Sequence, residues 1–183
     1  MKKTVALIFR FLIMLFCIWG IFQKVGYYIL SISPKILDFT FLNSILVFAC
    51  YVMLFVVGIS KRPDRKLLYF KSVLTLSSVT VFLINADSYY SVMSFDWILG
   101  VLTPLLVVFD WAIFERKIHY EFKDCFIRYG IFISIILILA LIHLFLFKTG
   151  NVFYVMGFKD NVIGFLGLMI VSFFMTLPSR PTV

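Results

Sequence analysis

At 183 residues, with 63% hydrophobic and 14% charged side chains and a formal net charge of +8, the chain has too little polar surface to cover a water-soluble globule. A mean hydropathy of +1.07 points the same way. The length could hold one or two soluble domains, but cut into apolar runs of about 20 residues it gives several membrane-spanning helices joined by short loops.

The first run, residues 5–22, follows Lys2 and Lys3. A basic start before an apolar stretch also describes a secretory signal peptide, but the residues after it, Ile18-Trp19-Gly20-Ile21-Phe22-Gln23, are bulky where small residues are needed for cleavage. The reading is therefore a retained helix. Ser33-Pro34 precedes the second run, 37–59, and Gly58 to Pro63 closes it. The third and fourth runs, 67–86 and 97–114, are separated by the polar stretch Asn85 to Ser94; the fifth covers 126–147; the sixth, 161–177, stops at Pro178. Each run can bridge the roughly 30 Å hydrocarbon layer at about 1.5 Å per residue. A transmembrane barrel would need alternating apolar and polar residues, which these runs lack. The expected fold is all-α: one integral membrane domain over residues 1–183, with six transmembrane helices.

Orientation follows from Lys and Arg, which concentrate on the cytoplasmic side of spanning helices. With six spans, Lys2, Lys3, Arg10, Lys61, Arg62, Arg65, Lys66, Lys71, Arg116, Lys117, Lys123, Arg128 and Arg180 gather on one side, against Lys24, Lys35, Lys148 and Lys159 on the other. Both termini are thus placed in the cytoplasm, in a multi-pass protein of the cell membrane. The positive charge reads as an orientation signal and a contact for anionic membrane lipids, and no nucleic-acid partner is expected.

Cys17, Cys50 and Cys125 show no metal-site or redox spacing. The chain also lacks a glycine-rich phosphate loop, a nucleophile elbow and paired histidines at helical spacing, so no metal or cofactor is expected. What remains is the polar residues in or beside the spans, the default functional candidates because hydrocarbon makes them costly. Asp110, the deepest acid, is expected to face the bundle interior, paired with a base such as Arg116 or Arg128. A second set collects on the outer side: Asp38, Thr40, Asn43 and Ser44 begin helix two, Asn85 and Asp87 end helix three, Asp96 starts helix four, and His143 lies about one turn below the outer end of helix five. A hydroxyl, a histidine and several carboxyl or amide groups at one depth are the materials of nucleophilic hydrolysis. The same residues also serve as helix caps, backbone-bonded hydroxyls and interhelical hydrogen bonds. Thr40 and His143 are the catalytic candidates; Asp38, Asn43, Asn85, Asp87 and Asp110 are the binding candidates.

Phe39-Thr40-Phe41-Leu42-Asn43-Ser44, then Thr103-Pro104-Leu105-Leu106-Val107-Val108-Phe109-Asp110-Trp111, then Asn151-Val152-Phe153-Tyr154 before Phe158-Lys159-Asp160, together resemble the bacterial branch of the androgen-induced gene protein family, small six-helix membrane proteins. The resemblance implies, from the animal members, hydrolysis of fatty acid esters of hydroxy fatty acids by an intramembrane threonine with a histidine partner. Thr40 matches that threonine. Where the family carries its histidine, four or five residues before the helix-four proline, this chain has Leu99 and Gly100, and Asn43-Ser44 reverses the usual order of hydroxyl residue and Asn. Two other readings stand beside a threonine-dependent lipid ester hydrolase. One is the substrate-binding subunit of a small-solute importer, although helix one holds only Ala6 where such subunits carry an Ala-x-x-x-Ala docking pattern; the other is a non-catalytic protein that packs against partners or lipid.

Overall fold

The computed structural model describes residues 2–28, 38–60, 65–86, 94–115 and 121–147, together with 166, 169–171, 173 and 174. Every regular element among them is a helix. Helix α1 is Lys2–Tyr28, α2 is Phe39–Ser60 and α3 is Arg65–Ala86. Helix α4 covers 94–115 as a continuous rod in which the α-helical pieces Ser94–Trp97 and Thr103–Asp110 alternate with π-helical turns at Ile98–Leu102 and Trp111–Glu115. Helix α5 is Phe122–Phe147. The expected sixth span, 161–177, falls largely outside the described residues, and those described within it are helical.

Three stretches, Thr4–Tyr28, Phe39–Ile59 and Lys66–Leu83, are long and apolar enough to cross a membrane, and Ile98–Phe114 forms a shorter apolar helix. Large side chains such as Ile8, Trp19, Phe22, Val56 and Phe145 are exposed on the helix surfaces, as expected of helices whose outer solvent is acyl chain and not water. Helix α1 runs past the expected 5–22 at both ends. Its last turns include Lys24, which is buried because it finds an acid on the next helix.

Helices α1 to α4 pack as one group, with α2 against α1 and α3, and α4 against α1 and α3. Their shared core is Ile13, Cys17, Val47, Cys50, Tyr51, Leu54, Leu74 and Val107. Helix α5 leans on the other side of α3, where Phe132 and Ile136 meet Val73, Leu76, Val81 and Phe39. Helix α3 is therefore covered on two sides, which explains its composition. It buries Lys71, Ser72, Thr75, Ser77, Ser78 and Thr80, side chains that would be costly against lipid. Thr75 and Thr80 donate to the carbonyls of Lys71 and Leu76 one turn back, the usual way a hydroxyl is satisfied inside a helix.

The first π turn of α4 has a local cause. Pro104 follows it, and a proline ring provides no N–H and crowds the carbonyl four residues back, so the preceding turn widens; the Thr103 N–H bonds Ile98 O, five residues earlier. The widened turn carries Leu99 and Gly100 into close packing. Leu99 lies on Gly20 of α1, where a Cβ would meet its Cδ2 at 2.5 Å, and Gly100 lies on Asn85 of α3, where a Cβ would meet Cγ at 2.7 Å. Glycine is needed at both places because the space is already filled.

Candidate functional site

Among the described residues two polar centres sit inside the bundle, one towards the end where α1 begins (the near end) and one towards the end where α2 begins (the far end). At about 1.5 Å rise per residue, the eleven residues from Thr40 to Tyr51 separate them by roughly 16 Å.

The near-end centre is built on Asp110, whose side chain is fully buried. Its Oδ2 accepts from Lys71 Nζ and from Tyr51 Oη, the latter at 3.1 Å. Arg10 Nε lies 3.5 Å from Oδ1. Lys71 also stands over the Tyr51 ring, 5.4 Å from its centroid. Four helices thus converge on one carboxylate, each placing a polar residue on its interior face. Asp110 faces the interior, as expected. Of the bases expected for it, Arg116 lies outside the described residues and Arg128 is committed elsewhere. The buried Arg128 donates from Nε to Ser72 Oγ at 3.0 Å, Ser72 donates to Tyr69 O at 2.6 Å, and Tyr69 Oη donates to Asp124 O at 3.2 Å, which fastens the start of α5 to α3. The sequence marks Arg10 and Lys71 only as topology charges, and Arg128 as a topology charge and a candidate base for Asp110. Their signal as site residues is position alone, a charge inside or beside an apolar run with helix on both sides.

The far-end centre begins at the cap of α2. Asp38 precedes the helix, its Oδ1 accepts the Phe41 N–H at 2.8 Å, and its carbonyl accepts the Leu42 N–H at 3.1 Å; such a cap is worth about 1 kcal/mol. Its Oδ2 accepts from Lys24 Nζ at 2.6 Å, and that ammonium stands 5.8 Å from the Phe41 ring centroid. Lys24 therefore ties the end of α1 to the start of α2. Two residues on, Thr40 is half-buried, and its Oγ1 accepts from Asn85 Nδ2 at 3.2 Å; the same Nδ2 donates to Val81 O at 2.8 Å. Ser44 is turned back on its own helix and donates to Thr40 O at 2.8 Å. Asn43, between them, is 2% exposed and has no hydrogen-bond partner among the described residues for either Nδ2 or Oδ1.

Among the sequence candidates, the structure brings Thr40, Asn85 and Asp38 to one end and places Asn43 one turn below Thr40 on the buried side of α2. Asp110 belongs to the other centre. Asp87 and the side chain of His143 lie outside the described residues. The backbone gives one constraint on His143. Phe132 of α5 meets the start of α2, its ring centroid 6.4 Å from that of Phe39, and position 143 is eleven residues further along α5, about 16 Å of helical rise. Among the described residues, the side chain that touches the Thr40 hydroxyl is an amide.

No family model, curated protein or solved structure matches this chain. The chemistry must therefore be argued from the two centres themselves. No group of His, Cys, Asp and Glu among the described residues could hold a metal ion.

The arrangement divides the tasks. Asp110, Lys71, Tyr51 and Arg10 are deep and mutually engaged, the condition under which buried charges specify which helix faces meet. Thr40 and Asn85 lie in the first turn of α2 and the last turn of α3, both only partly buried. An amide N–H donates and cannot take a proton. The Thr40–Asn85 pair is therefore equipped to bind an oxygen-bearing group, and turnover of an ester would need a base from outside it.

Proposed function

We propose that this chain is a six-helix integral protein of the cell membrane, with both termini cytoplasmic, that binds a lipid-like ligand at the outer end of its bundle beside Thr40. The observation that carries the reading is the Asn85 amide held against the Thr40 hydroxyl at the end of two apolar helices. It presents polar recognition groups at the depth where acyl chains give way to head groups. The lipid class is supported by the surroundings, apolar helix surfaces on all described elements, and by the resemblance of Phe39 to Ser44 and Thr103 to Trp111 to proteins that act on fatty acid esters. Binding is preferred to hydrolysis because the group in contact with Thr40 cannot serve as a base.

The test uses purified full-length protein in nanodiscs with a photoreactive fatty-acyl probe, and maps the crosslinked peptides. Crosslinks that gather on the first two turns of α2 and fall away in Thr40→Val or Asn85→Leu support the reading; crosslinks spread evenly over the exposed helix faces contradict it. The same preparations are assayed for ester turnover. Turnover that is lost in both Thr40→Ala and His143→Ala would replace binding by hydrolysis, with His143 supplying the base.

A further inference from the structure

Among the described residues, Asn43 is the one member of the far-end centre without a partner. Asp38 is shared between Lys24 and the Phe41 N–H, Asn85 between Thr40 and Val81 O, and Ser44 bonds the Thr40 carbonyl. The amide of Asn43 is buried, and among the described residues neither its nitrogen nor its oxygen meets a donor or acceptor. Buried amides are ordinarily satisfied, and one left dry in a helix bundle is costly. Leu or Val would fit an apolar position without that cost. The antiparallel pairing of α2 with α3, registered by the Thr40 to Asn85 bond, places Ser78 about one turn below Asn43, and the Ser78 hydroxyl is likewise fully buried and without a partner. Two unmatched polar groups therefore lie in succession below the Thr40–Asn85 pair.

We propose that Asn43 is the head-group recognition residue of the lipid site, and that its ligand carries a carbonyl oxygen next to an N–H or O–H: a protonated carboxyl or a primary amide at the end of an acyl chain. This deepens the binding reading and rests on it. The argument is complementarity. An amide side chain offers two N–H donors and one carbonyl acceptor, and a head group with one acceptor and one donor side by side satisfies both kinds at once. An ester carbonyl satisfies only the donors and leaves Oδ1 dry. Thr40 and Asn43 are three residues apart on one helix, so their Cβ atoms are neighbours about 5 to 6 Å apart. A head group paired with Asn43 thus lies directly inside the Thr40–Asn85 pair, with its chain leading outward.

The experiment compares three photoreactive probes of equal chain length, a fatty acid, its primary amide and its methyl ester, on the full-length protein in nanodiscs. Occupancy is read from crosslinks to the first two turns of α2, and thermal unfolding is measured alongside. The wild type is expected to take the acid or the amide about ten times more tightly than the ester, the margin of one unmade buried hydrogen bond. Whichever of the two binds better names the head group. In Asn43→Leu that preference disappears while the unfolding temperature holds or rises, because an unsatisfied amide has been replaced by an apolar side chain. A merely structural Asn43 predicts the reverse, lower stability and unchanged preference, and that result would overturn the proposal. Equal binding of all three probes by the wild type overturns it without any variant and leaves the binding reading standing. Failure of all three to label the start of α2 removes both.

Discussion

Asp110 shows how much a single side chain can organise. It accepts from Lys71 and Tyr51 and faces Arg10, so three helices depend on one carboxylate. Breaking such a buried set by removing one member costs about 3–5 kcal/mol, far more than the set contributes relative to a well-packed apolar replacement. Asp110→Leu is therefore expected to lower stability by that amount. Asp110→Asn should be milder, because its carbonyl still accepts a hydrogen bond, and the double variant Asp110→Leu with Lys71→Met should recover part of the loss. Thermal unfolding of purified protein in detergent checks all three; an additive double variant would show that the pair is not coupled. The sequence shows Asp110 as the deepest acid and leads correctly to an interior position. It does not show the partners. Arg116 and Arg128 are the bases the sequence suggests, but among the described residues it is side chains from α1, α2 and α3 that reach the carboxylate, and that choice depends on how the helices pack.

At the scale of the element, α4 couples the two centres. Pro104 widens the turn before it, the widened turn sets Gly100 against Asn85, and Asn85 in turn holds Thr40. Gly100→Ala would drive a methyl group into an amide already fixed by two hydrogen bonds. The expected cost is about 1–3 kcal/mol, with weaker probe labelling beside Thr40; unchanged stability and labelling would show that α4 yields more easily than its packing implies. Helix α5 offers a contrasting case. It is fastened to α3 by Phe132 in the middle and by the Arg128, Ser72 and Tyr69 chain near its start. Phe132→Ala is expected to cost about 3 kcal/mol, at the low end for a buried aromatic, because lipid can fill part of the space. Loss of that order in the unfolding temperature, with crosslinking between α3 and α5 reduced, checks it. The apolar runs themselves are legible in the sequence: four of the expected helices agree with the described ones to within a few residues, because an apolar run in hydrocarbon has only helix open to it. The extra turns of α1 were not legible. Gln23 and Lys24 end the apolar run, and only the ion pair to Asp38 explains why the helix continues. The π turns were equally hidden, since a proline marks a disturbance without saying which backbone pattern absorbs it.

For the whole molecule, the two centres lie near opposite ends of the bundle and their charges differ in kind. The near end carries Arg10, Lys71 and Arg128 in its interior, while the far end carries the Lys24–Asp38 pair and the uncharged Thr40, Asn43 and Asn85. This division, together with the excess of Lys and Arg flanking the near-end helix termini, is what supports the proposed cytoplasmic placement of the near end. The far-end centre was half legible: antiparallel helices of equal length bring the start of α2 beside the end of α3, so Thr40 and Asn85 share a depth by chain geometry alone. Which of them touch, and that Asn43 touches none, required the packing. The measurement that bears most directly on the proposal of a lipid site facing outward from a multi-pass bundle is a set of topology reporters fused after Lys66, Ser91, Lys123 and Gly150. The expected result is cytoplasmic signal after Lys66 and Lys123 and external signal after Ser91 and Gly150. Inverted signals, or a pattern requiring an odd number of spans, would contradict it.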